Sequence, residues 1–320
     1  MASPMSETTR PSRSPRPAAA IDSLRLLETR GFADYRLLDS GGARKLERFG
    51  RVVVDRPEPQ ALWQPRLPPE RWQAADAVFS ADGDDEGGRW RSNRTIPESW
   101  PVRVEGLTVH CRLSAFRHLG LFPEQLPHWQ WMIARLDRLT RTGVDRPRVL
   151  NLFGYTGAAS ILAAKAGAEV VHIDASKKAI AWARENQAAS GLSAAPIRWL
   201  LDDVRKFVAR EQRRNRTYHL ILLDPPPRGH GPTGELWEMF DHLAPLVRDC
   251  VSLLDRDRAG IVLTAYAIRL SAISNGNVLG EALAGRAGPL ECGELAIREE
   301  AGARAVPTSI YSRWCTDDLA

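Results

Sequence analysis

Between Val149 and Asp174 the chain reads as strand, glycine turn, helix and second strand, and this unit constrains the fold more than any other feature. The apolar run Val149-Leu150-Asn151-Leu152 leads into Phe153-Gly154-Tyr155-Thr156-Gly157 and then a small-residue helix from Ala158 to Ala168. Glu169-Val170-Val171-His172-Ile173 follows as a second strand and ends in Asp174, about 20 residues after the first glycine. A unit of this kind is the first half of a nucleotide-binding α/β sheet. Glycines let the backbone approach a ligand closely, and an acid at the second strand tip can accept hydrogen bonds from two ribose hydroxyls.

The alternation continues downstream. Strands are expected at 148–152, 169–173, 197–200, 218–223 and 260–264, with helices at 157–167, 176–190, 203–213 and 235–253. Such alternation implies a parallel sheet with helices on both faces. Glu294 to Arg298 and Thr308 to Trp314 read as an antiparallel pair at one edge. Upstream, His128 to Leu139 has its apolar residues at helical spacing. Before that, short runs such as Arg51 to Val54 and Leu107 to His110 stand between a proline-rich stretch, Pro57 to Pro69, and an acidic-glycine stretch, Ala81 to Gly88. The expected organisation is a tail (1–20), a smaller strand-rich N-terminal domain (21–117) and an α/β domain (118–320).

Composition narrows the class. At 320 residues the chain has room for one large domain or two ordinary ones. No apolar run approaches the roughly 18 residues that span a bilayer, so no membrane partner is expected. The first 20 residues are rich in Ser, Pro, Arg and Ala, without the apolar stretch of a secretory signal, and read as a disordered tail. Four cysteines, Cys111, Cys250, Cys292 and Cys315, lack C-x-x-C spacing, so neither a metal site nor a disulfide framework is expected and a reducing cytoplasm fits. A net charge of +5 permits a polyanionic partner without requiring one. Trp63, Trp72, Trp90 and Trp100 read mainly as core or loop anchors, although an exposed one could stack a base.

In an open parallel sheet ligands bind at the carboxyl ends of the strands. In order, those tips carry Asn151 with Gly154-Tyr155-Thr156-Gly157, then Asp174, Asp202-Asp203 and Asp224-Pro225-Pro226-Pro227. Asp174 and Asp203 can each be read as helix N-caps, but so many polar tips facing one crevice point to a nucleotide site. The prolines after Asp224 hold the backbone extended and leave carbonyls outside any helix, a shelf for a planar amino group or ring nitrogen in line with a methyl donor. A dinucleotide dehydrogenase has no comparable need of it, and the turn lacks the full GxGxxG pattern.

On these residues the chain, over roughly Leu119 to Trp314, resembles class I S-adenosylmethionine-dependent methyltransferases, and among them the bacterial 23S ribosomal RNA methyltransferase group. Asn151 to Gly157, Asp174-Ala175-Ser176, Asp203, Asp224-Pro225-Pro226 and the upstream His118 to Gln125 carry the resemblance. It implies a Rossmann-like, mostly parallel, seven-stranded sheet with helices on both faces, and S-adenosylmethionine as cofactor. It implies that Asn151, Phe153, Gly154, Tyr155, Thr156 and Gly157 cradle the methionine and ribose, that Asp174 with Ala175 takes the ribose hydroxyls, and that Asp203 takes the adenine amino group. Phe122 and Gln125 match a pocket-lining segment, with ordinary core as the other reading of Phe122. Asp224, Pro225 and Pro226 would stand at the methyl-transfer site.

Two departures bear on the acceptor. Cytosine-C5 methylation needs a cysteine nucleophile, and none follows Asp224-Pro225-Pro226 or the strand tip Thr264-Ala265-Tyr266. Related enzymes often carry Lys or an aromatic residue after the proline pair, where this chain has Pro227-Arg228. The expected reaction is direct in-line transfer to an RNA base nitrogen, ribosomal RNA favoured. A protein or small-molecule acceptor, and an NAD-dependent oxidoreductase or nucleotide-binding module, stay open. Arg213, Arg214, Arg216 and Arg228 could hold RNA or be solvated surface, and Lys177 and Lys178 read as solvated.

Overall fold

The computed structural model describes residues 21, 23–81, 87–266, 268–300, 302 and 304–320. The expected tail, 1–20, and the stretch 82–86 lie outside the described residues. The chain begins with β1 (Leu24–Glu28), β2 (Tyr35–Gly41), β3 (Arg44–Phe49), β4 (Val52–Pro57), α1 (Pro69–Gln73), β5 (Ala77–Ala81) and β6 (Gly88–Ser92). A hairpin, β7 (Trp100–Val104) and β8 (Leu107–Cys111), precedes α2 (Leu126–Arg141). The alternating part comprises β9 (Arg148–Leu152), α3 (Ala158–Lys165), β10 (Glu169–Asp174), α4 (Lys177–Ala189), β11 (Ile197–Leu201), α5 (Val204–Arg213) and β12 (Leu220–Leu223). A short ribbon, β13 (Arg228–His230) and β14 (Leu236–Glu238), leads into α6 (Met239–Ser252), β15 (Gly260–Ala265), α7 (Ala272–Ala282), β16 (Leu290–Arg298) and β17 (Ala305–Cys315).

Five strands run parallel in the order β11-β10-β9-β12-β15. β17 joins β15 and β16 joins β17, both antiparallel, and β1 closes the order parallel to β16. The sheet therefore has eight strands where seven were expected. The extra one, β1, comes from the stretch assigned to the N-terminal domain. It satisfies backbone groups that β16 would otherwise leave open at the sheet edge. All of β12 is buried, and so is β9 from Val149 onward, as strands covered on both faces must be. Val149, Leu220 and Leu222 pack with Met132 of α2 and Ile161 of α3, while Leu150, Ile221 and Leu223 pack on the other face with Phe207 of α5 and Leu243 of α6.

Strand order reverses at β9, since β10 and β11 lie to one side of it and β12 to the other. The loops after β9 and β12 diverge there and open a crevice at the strand tips. One expectation is corrected nearby, and one helix is added. Residues 236–238, assigned to a helix, form β14, because the turn through Gly231 and Gly234 brings the chain back onto β13 before α6 can start. α7, which includes Gly276 and two asparagines, has too weak a helical pattern to be seen in the sequence.

β2 to β6 form a separate five-stranded sheet, yet Phe32, Tyr35 and Phe49 belong to the same core as Val149. Residues 21–117 thus supply β1 to the large sheet as well as the small sheet and the β7–β8 hairpin, and their core is continuous with that of Val149. The C-terminal hairpin binds the small sheet as well: Glu300 N–H donates to Leu37 O at 2.8 Å, and Arg304 reaches Asp39 at 3.1 Å. The indoles of Trp63, Trp72, Trp90 and Trp100 donate to Ser40, Asp39, Phe116 and Phe49, so all four act as anchors. Among the described residues no helix is long and apolar enough to cross a membrane.

Inside the small sheet Arg56 donates to Glu47 through Nε at 2.7 Å and Nη2 at 2.9 Å, and Tyr35 Oη–H donates to Glu47 Oε1 at 2.7 Å. Glu47 is fully buried. Removing one partner strands a buried charge, so Arg56→Met should cost about 3–5 kcal/mol in urea unfolding. Adding Glu47→Leu should recover a large part of that loss.

Candidate active site

The turn after β9 is shaped by what lies beneath it. A Cβ on Gly154 would collide with the ring of His172 and come within 2.9 Å of Asn151 Nδ2. His172 is buried on β10, and burial lowers its pKa to about 3, so the ring is neutral. Ser160 Oγ lies 2.9 Å from His172 Nδ1 and accepts the Asn151 amide at 2.9 Å. Asn151 is thus a brace under the turn as well as part of the cleft wall. Phe153 (φ 57°) and Tyr155 (φ 51°) are left-handed, which costs non-glycine residues roughly 1–2 kcal/mol each. Strain of that kind persists where surrounding contacts enforce it. Gly157 (φ 83°) precedes α3, and a Cβ there would stand 2.7 Å from the Trp199 ring.

Asp174 holds the next tip. Its Oδ2 accepts Tyr155 N–H at 2.8 Å and its Oδ1 accepts Ser176 N–H at 2.7 Å. Burial pushes its pKa up, against the pull of those two bonds. Ser176, not Asp174, caps α4, with Oγ accepting Ala179 N–H at 3.2 Å. Asp203 does cap α5, accepting Lys206 N–H at 3.0 Å, and its other oxygen lies 3.6 Å from Arg205. Asp202 is paired with Arg210.

Across the crevice, Gln125 Nε2 donates to Asp224 Oδ2 at 3.0 Å. Among the described residues Asp224 Oδ1 is buried with no hydrogen-bond partner. Burial, then the nearby charge of Glu124, raises the Asp224 carboxyl to about 7. Thr156 Oγ–H donates to Gly120 O at 2.6 Å and so ties the turn to the segment that carries Gln125. The expected shelf of free carbonyls is corrected in part: the Pro226 carbonyl accepts Trp237 Nε1–H at 2.7 Å, and that of Pro227 accepts Met239 N–H at 3.0 Å.

Two adjoining cavities, of about 70 and about 280 Å³, fill the crevice and share Phe122, Phe153, Tyr155 and Asp224 as walls. The smaller also meets Gln125, Asn151, Gly154 and Thr156, and the larger meets Asp174, Ala175, Asp203 and Pro226. Of the expected residues only Gly157 and Pro225 line neither one. His118, Trp237 and Tyr266 also wall the larger cavity and went unrecognised as site residues. The strand-tip rule could have found Tyr266, which follows β15; nothing local marks Trp237, which the β13–β14 ribbon carries in. Arg213 ends α5, and Arg214 and Arg216 follow it before β12, at the edge of the sheet opposite the tips. All four cysteines are buried and none lines either cavity.

A crystallised SAM-dependent methyltransferase from Agrobacterium tumefaciens is 47% identical to this chain, over 95% of it and 96% of that protein, with a TM-score of 0.88. The chain belongs to the S-adenosylmethionine-dependent methyltransferases. That membership sets the oxidoreductase alternative aside. A family model described as "Conserved hypothetical protein 95" matches residues 133–245 of this methyltransferase. A putative methyltransferase from Streptococcus mutans shares the fold at 16% identity, with a TM-score of 0.66 over 88% of this chain and 75% of that one. The ribosomal RNA large subunit methyltransferase K/L of Marinobacter nauticus is 32% identical over 165 residues, covering 50% of this chain and 21% of that protein. Its counterpart in Shewanella baltica is 38% identical over 154 residues, 47% of this chain and 19% of that protein. The methyltransferase thus spans about a fifth of the length of these curated relatives.

If packing on His172 shapes the turn, Gly154→Ala should weaken S-adenosylhomocysteine binding tenfold or more, about 1.4 kcal/mol, by calorimetry. Gly87, like Gly154, is not left-handed and has nothing within 4 Å of its Cβ position, so Gly87→Ala adds a methyl without a clash and should leave binding unchanged.

Proposed function

We propose that this methyltransferase moves the methyl group of S-adenosylmethionine to a nitrogen of an RNA base, ribosomal RNA foremost, by direct in-line displacement. The Asp224 carboxyl carries this reading. One oxygen is held by Gln125 and the other is buried without a partner among the described residues, at the wall of both cavities. An ionised carboxylate accepts hydrogen bonds only, so the missing partner is a donor, such as the N–H of an acceptor base. The names of the Marinobacter nauticus and Shewanella baltica relatives support RNA as the substrate.

The residues present fit the cofactor. Gly154 packs onto His172 beneath it and borders the smaller cavity, and Asp174 and Asp203 flank the larger one. Asp174 uses two of about four lone-pair positions on backbone N–H groups, which leaves capacity for two ribose hydroxyls. Asp203, while capping α5, would take the adenine amino group through its second oxygen. Asn151 to Thr156, with Phe122 and Gln125, would enclose the methionine end. S-adenosylmethionine supplies a methyl group already activated by positive sulfur, so the chain's task is to orient the partners and manage one proton. Asp224 would orient the acceptor N–H and receive its proton.

Asp174→Ala should weaken S-adenosylhomocysteine binding by about 1–3 kcal/mol, and an unchanged affinity would remove the ribose role. Because Asp224 accepts a proton only when ionised, turnover should rise as pH passes through about 7 and then level off. The stability sign is opposite. A carboxyl raised above its unfolded value stabilises fully below about pH 4, and that contribution is lost as pH climbs through about 7. Asp224→Asn should therefore raise the unfolding midpoint more at about pH 8 than at about pH 5 while abolishing turnover. RNA from a strain lacking the gene, compared with its parent for modified nucleosides, tests the substrate; identical profiles would exclude RNA.

A further inference from the structure

We propose that Trp237 is a positioning residue for methyl transfer, holding the Asp224 segment in place through the Pro226 carbonyl. The proposal rests on the role given to Asp224 above. Beyond Asp224 the chain runs Pro225-Pro226-Pro227, and no proline has an N–H to donate. Such a segment cannot anchor itself by donating, so it is gripped through its carbonyls. Two grips are present: Trp237 Nε1–H on Pro226 O at 2.7 Å and Met239 N–H on Pro227 O at 3.0 Å. The Trp237 grip is nearer to Asp224 and is the one made by a side chain.

Trp237 is itself held firmly. It is 4% exposed, its ring lies 5.0 Å from that of Phe153, and it stacks on His242 at 5.7 Å. His242 Nδ1 in turn lies 3.0 Å from Glu238 N and 2.9 Å from Glu238 O, which fixes the stack to the ribbon. Phe153 is one of the two left-handed residues of the glycine turn. A single indole therefore connects the proline run, the β13–β14 ribbon and the turn, and it lines the larger cavity that Asp224 also walls. Buried core tryptophans pack too, but this one spends its only donor on the segment that sets where Asp224 points.

Trp237→Phe keeps a ring in the stack and removes the donor. With radiolabelled S-adenosylmethionine and RNA from a strain lacking the gene, turnover should fall roughly tenfold or more, as small misplacements of reacting groups do. Affinity for S-adenosylhomocysteine should stay within about twofold. A readout free of any acceptor is the Asp224 titration followed by carboxyl NMR. Its midpoint should move down from about 7 toward the usual carboxylate range once the loosened segment admits water. Site-specific replacement of Trp237 by 3-benzothienylalanine matches the indole in shape, lacks its N–H, and should give the same results, which covers a failure of Trp237→Phe to fold. Wild-type turnover or an unmoved Asp224 titration in these variants overturns the proposal. So does a parallel loss of S-adenosylhomocysteine affinity, which would place the effect in cofactor binding and not in transfer. Failure of the unaltered protein to bind S-adenosylhomocysteine overturns the reading of the cleft itself.

Discussion

The backbone of Gly154 rests on the ring of His172, and the shape of the cleft depends on that contact. The ring can lie there because it is neutral: a charged imidazole in the same place would need water or a counter-charge. Its Nδ1 meets Ser160, which also receives Asn151, so one small polar cluster fixes the end of β9 and the start of α3 together. To pass over the ring within a few residues the chain adopts left-handed geometry at Phe153 and Tyr155. Their side chains then serve different neighbours, Phe153 meeting Trp237 at 5.0 Å and Tyr155 meeting Phe122 at 5.4 Å. These rings, with Asp224, stand where the two cavities adjoin.

The small N-terminal sheet takes part in the electrostatics of this cleft. Asp224 is raised by burial and by Glu124, and Glu124 is raised by its own burial while Lys45 and Arg56 of the small sheet pull it down. Arg56 also donates to Arg117 O at 2.9 Å, at the start of the segment that carries Phe122 and Gln125. Buried charges in β3 and β4 thus reach the strand tips through Glu124. A sheet that merely held substrate would have no cause to share its core with α2 and α3, as this one does.

Much of the α/β part was legible because its determinants are local. Continuous apolar runs of β12 and β9 announce strands buried on both faces, and the tips follow by position. What escaped depends on contacts distant in sequence. β1 looks like any short apolar run until β16 offers an edge, and β13 and β14 have three residues each, too few for any period to show. The roles of the aspartates split for a similar reason. Asp203 is both cap and cavity wall, whereas Asp174 leaves capping to Ser176 and binds the turn instead, a choice made by where Tyr155 N–H points. Pro226 shows the limit most plainly: its lack of a donor could be read from the sequence, but not which donor would take its carbonyl.

The chemistry proposed for the acceptor follows from what surrounds Asp224 in the cleft. Methylation of cytosine at C5 needs a thiolate that first adds to the base. Cys111 and Cys250 are buried and their thiols pushed far up by that burial, while Cys292 and Cys315 are raised for the same reason. None of the four borders the cavities. A nitrogen acceptor needs only orientation and somewhere for a proton to go, and a base is most useful when its pKa lies near the working pH. Asp224 at about 7 meets that condition. The desolvation that makes Asp224 costly to ionise in the folded chain is therefore the same property that suits it to take a proton from nitrogen.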